Sequence, residues 1–155
     1  MIHTIKFEAS HAMTLLNDSS DAMAFACTIR EMTSIGVTAV NDDMILGCAG
    51  LTIDENRNGS LWTVTTEILK RDHPIWFLRT AHRLFMPAVI RLGLSRVEML
   101  ISPDSKADRR WATWMGFTFE STKKRAGKNG TDVNVYAFFP QHLSLTEETQ
   151  IEVSA

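Results

Sequence analysis

The stretch "RRWATWMGFTFE", Arg109–Glu120, carries a helix into a strand. Trp111, Trp114 and Met115 precede Gly116, and beyond it Phe117 and Phe119 alternate with Thr118 and Glu120. Steps of three and four residues mark one helical face, and steps of two mark one face of a sheet. Glycine is the residue that most readily takes the left-handed position after a helix end. Two of the chain's four tryptophans stand within two turns of that glycine. Rings of that size are expected to bury against a sheet, which assigns Trp111, Trp114 and Met115 to the core, with one ring edge free to wall a pocket.

Upstream of this stretch, "RVEMLIS" (96–102) reads as a buried strand, and Ser102 with Pro103 opens the helix that ends at Gly116. Downstream, "FTFES" (117–121) and "DVNVYAFF" (132–139) are strands joined by a basic loop. Further back lies the strongest helical pattern. Leu78, Ala81, Phe85, Ala88 and Leu92 form one stripe, with Arg79, Arg83 and Arg91 off it. Asp72 or His73 suits its cap, Pro74 its first turn and Gly93 the position after its end. Pro87 removes a backbone donor and is expected to bend it near Arg83.

The first half begins with a strand, "MIHTIKF" (1–7). Two helical stripes follow, Ala9, Ala12, Met13 and Leu16, then Ala22, Phe25, Ala26 and Ile29, separated by "NDSSD" (17–21). Strands at 34–40 and 44–53 pair through the turn "NDD" (41–43), and a strand at 60–66 follows the turn "DENRNG" (54–59). The order is β-αα-β-β-β-α-β-α-β-β. It describes a single α/β (α+β) domain over 1–140 with a polar, acidic and mobile tail at 141–155. A helix between the strands at 60–66 and 96–102 implies one parallel crossover in a mixed, mostly antiparallel sheet.

The bulk chemistry narrows the function. A net charge of −2 argues against general binding to nucleic acid or to a membrane surface. No apolar run approaches the roughly 18 residues of a membrane span. The N-terminus lacks the basic-then-apolar order of a secretory leader, so a cytoplasmic location is expected. Cys27 and Cys48 sit in apolar company and read as buried free thiols in a reducing compartment. Five scattered histidines give no metal site, and the common nucleophile, metalloprotease and nucleotide-loop patterns are missing.

The element order, with "WMGF" closing the last helix, resembles the GNAT acyl-CoA-dependent N-acetyltransferases over residues 1–139. The resemblance implies a GNAT-like acyl-CoA N-acyltransferase fold and transfer of an acetyl group from acetyl-CoA to an amine acceptor, a small molecule or a protein. Counting back from Gly116, Ser105 stands where the family usually has Asn, and Trp111 fills its bulky apolar position. Ala112 falls where many members carry the tyrosine that protonates the departing thiolate, and the only tyrosine, Tyr136, lies on the last strand. In the family the fourth strand and the crossover strand splay apart to admit the pantetheine arm. That places Val64, Thr65 and Thr66 along the arm and the pyrophosphate at the start of the long helix.

Here the sequence departs from the family. "EILKRDHP" (67–74) has no glycine, although the family uses a glycine loop for close backbone approach. Lys70 and Arg71 are the candidate phosphate cations, and Asp72 opposes them. The candidate bases for the amine are Glu67, Glu98 and His73. Each has a plainer reading: a solvated loop carboxylate, an ion pair with Arg96 or Arg91, and a helix cap. "KKRAGKNG" (123–130) reads as a solvated hairpin tip, or as a contact for an acidic acceptor, for the cofactor's 3′-phosphate or for nucleic acid.

"LWTVTTEILKRDHPIWFLRTAHRLF" and "SPDSKADRRWATWMGF" are also similar to small GNAT-like proteins of short-tailed bacteriophages, an internal virion protein among them. That likeness implies a second reading: a catalytically inactive virion component or binder of a host protein, located in the host cytoplasm or the virion. Several family members dimerise through their last strands, which makes "VNVYAFF" a candidate contact for a homodimer.

Overall fold

The computed structural model describes residues 1–16 and 33–140. The expected second helix (Ala22, Phe25, Ala26, Ile29), the "NDSSD" break, Cys27 and the 141–155 tail lie outside the described residues. The strand order is β1-β2-β3-β4-β5-β7-β6 in a seven-stranded sheet. The chain divides into two compact units, Met1–Asp54 with Ser60–Arg83, and Glu55–Gly59 with Leu84–Ala155.

The first unit holds β1 (Ile2–Lys6), α1 (Ala9–Leu15), β2 (Thr33–Asn41), β3 (Met44–Ile53), most of β4 (Asn58–Thr65), α2 (Glu67–Asp72) and the first half of α3 (Pro74–Arg91). β1 and β3 flank β2 in antiparallel register, and β2 turns into β3 through Asp42 and Asp43 as the turn residues predict. Leu46, Cys48, Ala49 and Leu51 are buried along β3, with Ala12 of α1 and Leu61 of β4 also in the core. Gly50 on β3 lies beneath the Trp62 indole, and a Cβ built there would stand 2.3 Å from that ring. Phe7 meets Trp62 edge to face, with centroids 5.1 Å apart.

One polar chain crosses this core. Thr38, fully buried, places Oγ1 2.8 Å from His11 Nδ1 and 3.5 Å from Cys48 Sγ. The Glu8 N–H donates to the same His11 nitrogen at 3.2 Å, which fixes Nδ1 as an acceptor. The Thr38 hydroxyl therefore donates to His11 and accepts from the Cys48 thiol. Burial pushes that thiol up to about 11, so it keeps the proton it donates.

The second unit holds the rest of α3, then β5 (Arg96–Ile101), α4 (Lys106–Trp114), β6 (Thr118–Lys123), a 3₁₀ turn (Lys128–Gly130) and β7 (Val133–Phe138). α3 runs through Pro87, and its predicted stripe is the inner one: Ala81, Phe85 and Ala88 are buried, while Arg79, Arg83 and Arg91 are exposed.

α4 ends as its sequence predicts. Gly116 takes φ +94, its N–H donates to the Thr113 carbonyl at 3.1 Å, and the Phe117 N–H donates to the Ala112 carbonyl at 2.9 Å. This pair of bonds is the Schellman closure, which most side chains would strain. Phe117, 2% exposed, then begins the return to the sheet.

One expectation is corrected in this unit. Trp114 is not core: it is 53% exposed, whereas Ala112 and Met115 are buried and Trp111 is half-buried. At 100° per residue the inward direction lies between Ala112 and Met115, and Trp114 falls well off it. β7 pairs antiparallel with β5 on one side and with β6 on the other. The edge strand is β6, and every residue of it is exposed.

Candidate active site

The residues singled out in the sequence divide between the two units. Val64, Thr65, Thr66, Glu67, Lys70, Arg71 and His73 follow one another along the β4–α2–α3 connection of the first unit; Glu98 and Ser105 belong to the second.

The segment 67–74 carries a helix where a loop was expected. Thr66 starts α2: its Oγ1 accepts from the Leu69 N–H at 3.3 Å and donates to the Leu46 carbonyl at 2.7 Å, and its own N–H donates to the same carbonyl at 2.9 Å. An acid in the first turn, Glu67, and cations in the last, Lys70 and Arg71, complement the helix dipole. Leu69 is fully buried and anchors the turn. The missing glycines and the local helix are thus one fact, because nothing in 67–72 interrupts helical geometry.

This arrangement commits the local charges. Arg71 grips Asp72 with two bonds, 2.7 and 2.9 Å, and that grip holds the Asp72 carboxyl below the usual carboxylate range. Lys70 stands 3.8 Å from Glu67, a loose i,i+3 pair whose acid is almost wholly in solvent. His73 joins the two helices: its N–H bonds to the Leu69 carbonyl at 3.1 Å and its carbonyl accepts the Phe77 N–H at 3.0 Å. At φ −132 and ψ 33 it is half-buried and non-helical. Val64 and Thr65, the last two residues of β4, are half-buried.

In the second unit, Ser105 is the N-cap of α4, with Oγ accepting from the Asp108 N–H at 3.3 Å. Glu98 accepts a 3.1 Å bond from Arg96, the plainer of its two sequence readings. The same guanidinium clamps Glu120 at 2.6 and 2.7 Å. Glu120 sits at a register shift of β6 between Phe119 and Ser121, which lets a residue two strands away reach Arg96. The clamp holds the Glu120 carboxyl below its ordinary range and raises the guanidinium.

A pH dependence follows from that clamp. A carboxyl whose folded pKa is lowered contributes stability above its unfolded pKa, and that contribution is lost as pH falls through the folded value. Glu120→Gln is therefore expected to flatten the fall in stability between about pH 5 and pH 3, and urea melts of both proteins across that range measure it. An unchanged slope would remove the clamp from the acid response.

Sequence reasoning missed one group. Lys106, Arg109, Arg110, Thr113 and Trp114 of α4, with Tyr136 of β7, line an open groove of about 640 Å³. The signal was present: positions 106, 110, 113 and 114 share the exposed flank of the helix. It was masked by reading the tryptophans as core.

Solved structures place this arrangement among known folds. An acetyltransferase of the GNAT family from Streptococcus pneumoniae is 14% identical, with 90% of this chain and 99% of that one covered at a TM-score of 0.66. The ribosomal-protein-S18-alanine N-acetyltransferase of Escherichia coli is 11% identical over 90% and 94%, at 0.69. A spermidine N-acetyltransferase variant from Vibrio cholerae is 12% identical over 90% and 94%, at 0.66. No family model and no curated protein sequence matches the chain. Seven strands in this order, with helices between them and about nine-tenths of the chain superposed, give the protein the fold of the GNAT acetyltransferases.

Proposed function

We propose that the chain is an N-acyltransferase that moves an acetyl group from acetyl-CoA to an amine. The observation that carries this reading is the fold, shared across nearly the full length of enzymes named as N-acetyltransferases. The acceptors in those names, an alanine of a ribosomal protein and spermidine, set the class to try first.

The segment after β4 does not fit the phosphates of such a donor in the family's manner. It has no glycine, the Thr66 hydroxyl takes up one of the first-turn amides, and Asp72 holds Arg71. Lys70 is the cation left for an anion there, against a loosely held Glu67. Losing two or three charge-assisted contacts removes about 3–9 kcal/mol of potential affinity. Binding is therefore expected in the high-micromolar to millimolar range.

When bound, the donor supplies a thioester carbonyl open to attack by an unprotonated amine. The chain's own task is to hold that amine and receive its proton. Of the three candidate bases, Glu98 is engaged by Arg96, and Glu67 is almost wholly in solvent. His73, half-buried with no ion pair among the described residues, is the base we assign.

The same misfit favours a second reading, a GNAT-fold protein without catalysis that serves as a phage virion component or binds a host protein. Calorimetry with acetyl-CoA to about 5 mM, followed by transfer assays on spermidine and an alanine-terminated peptide, separates the two. Binding, with turnover reduced about 10- to 100-fold in His73→Ala, is the expected result. Neither heat nor a thermal shift at that concentration would leave the non-catalytic reading.

A further inference from the structure

We propose that the groove between α4 and β7 binds a phosphorylated aromatic ligand of nucleotide size, at a site separate from any acyl donor. The inference does not rest on the acyltransferase reading. Its first support is charge. Lys106, Arg109 and Arg110 converge on one open groove of a chain whose net charge is −2, and none of the three makes an ion pair among the described residues.

The second support is that no acid stands among the described residues lining the groove to neutralise these cations. The Thr113 hydroxyl is spent on the Arg109 carbonyl at 2.9 Å, and the acid of the helix, Asp108, is not part of the groove lining. A guanidinium fork beside a lysine matches the several oxygens of a phosphate better than one carboxylate.

Size and surface set the rest of the ligand. About 640 Å³ lies within the ordinary range for small-molecule sites and far exceeds a phosphate ion alone. Trp114, half-exposed, and Tyr136, whose ring meets Phe119 edge to face at 5.8 Å, add aromatic wall for a flat ring. Lys106 to Thr113 spans about 10 Å of helix, enough to separate a phosphate contact from a base contact. Ser105 and Ala112, the positions at which the family's pattern meets its donor, lie outside this lining; Ala112 is fully buried.

The test is calorimetric titration of the full chain with ADP. Binding is expected, about 10-fold weaker in Arg109→Gln and in the more exposed Arg110→Gln, and several-fold weaker in Trp114→Ala with a melting temperature within about 4 °C of wild type. Saturating acetyl-CoA should leave the ADP affinity unaltered. Three results overturn the proposal: no ADP binding at about 5 mM, equal affinity in wild type and both arginine variants, or complete displacement by acetyl-CoA. A glutamate-rich peptide that binds more tightly than ADP overturns the ligand class.

Discussion

Gly50→Ala is expected to cost about 2–3 kcal/mol of stability, and to lower the melting temperature by about 5–10 °C, although it adds one methyl group. The new Cβ would lie 2.3 Å from Cζ2, 2.4 Å from Cε2 and 2.6 Å from Nε1 of Trp62. Real carbon contacts do not come so close, and an indole is rigid, so the whole ring must move. Its retreat is resisted by Phe7, 5.1 Å away edge to face, which in turn meets His11 at 6.5 Å. A double-mutant cycle isolates the clash. Trp62→Leu is destabilising alone, yet combined with Gly50→Ala it should cost at least about 1 kcal/mol less than the sum of the two. Strict additivity in urea melts would show that β3 and β4 do not meet at this point.

The parts of the fold that were legible in the sequence are those written in local periodicity and local chemistry. The α3 stripe and the Gly116 closure were both readable because each depends on residues within a turn or two of one another. The α2 helix was equally local. A Thr cap, an acid in the first turn and cations in the last were all in view in "TEILKRD", and the expectation of a family loop outweighed them. Trp114 failed for a different reason. A helix face is fixed to within tens of degrees, so a residue three positions from a half-buried one can stand in solvent.

What could not be read depends on distant pairing. The Arg96 clamp joins residues 24 apart across an intervening strand and needs the β6 irregularity at Glu120, which no local pattern announces. The antiparallel pairing of β7 with both β5 and β6 is likewise a long-range choice, and it leaves β6 rather than the last strand at the edge. The basic groove combines a helix flank with one tyrosine of a strand more than twenty residues on. Of the candidate site, the sequence offered the residues of the β4–α2–α3 connection and, as one reading of Glu98, its pair with Arg96; it could not say that Asp72 would take Arg71.

Phe117→Ala is expected to be among the most damaging single changes in the second unit, at about 3–5 kcal/mol, while Trp114→Ala three residues earlier stays within about 1 kcal/mol of wild type. The contrast inverts what side-chain size alone predicts, since tryptophan is the larger ring. It follows from position. Phe117 is 2% exposed, stacks obliquely on Phe138 at 5.6 Å, and follows the left-handed Gly116 that turns the chain out of α4. Truncating it leaves a cavity that the closure bonds at Thr113 and Ala112 hold open, because those bonds fix the backbone on which the ring hangs. Trp114 keeps about half its surface in water, so its removal surrenders less buried area and opens no cavity. Urea denaturation of both variants decides the matter. Equal losses would mean that the inward side of α4 runs through Trp114, and the groove built on its outer flank would disappear with that result.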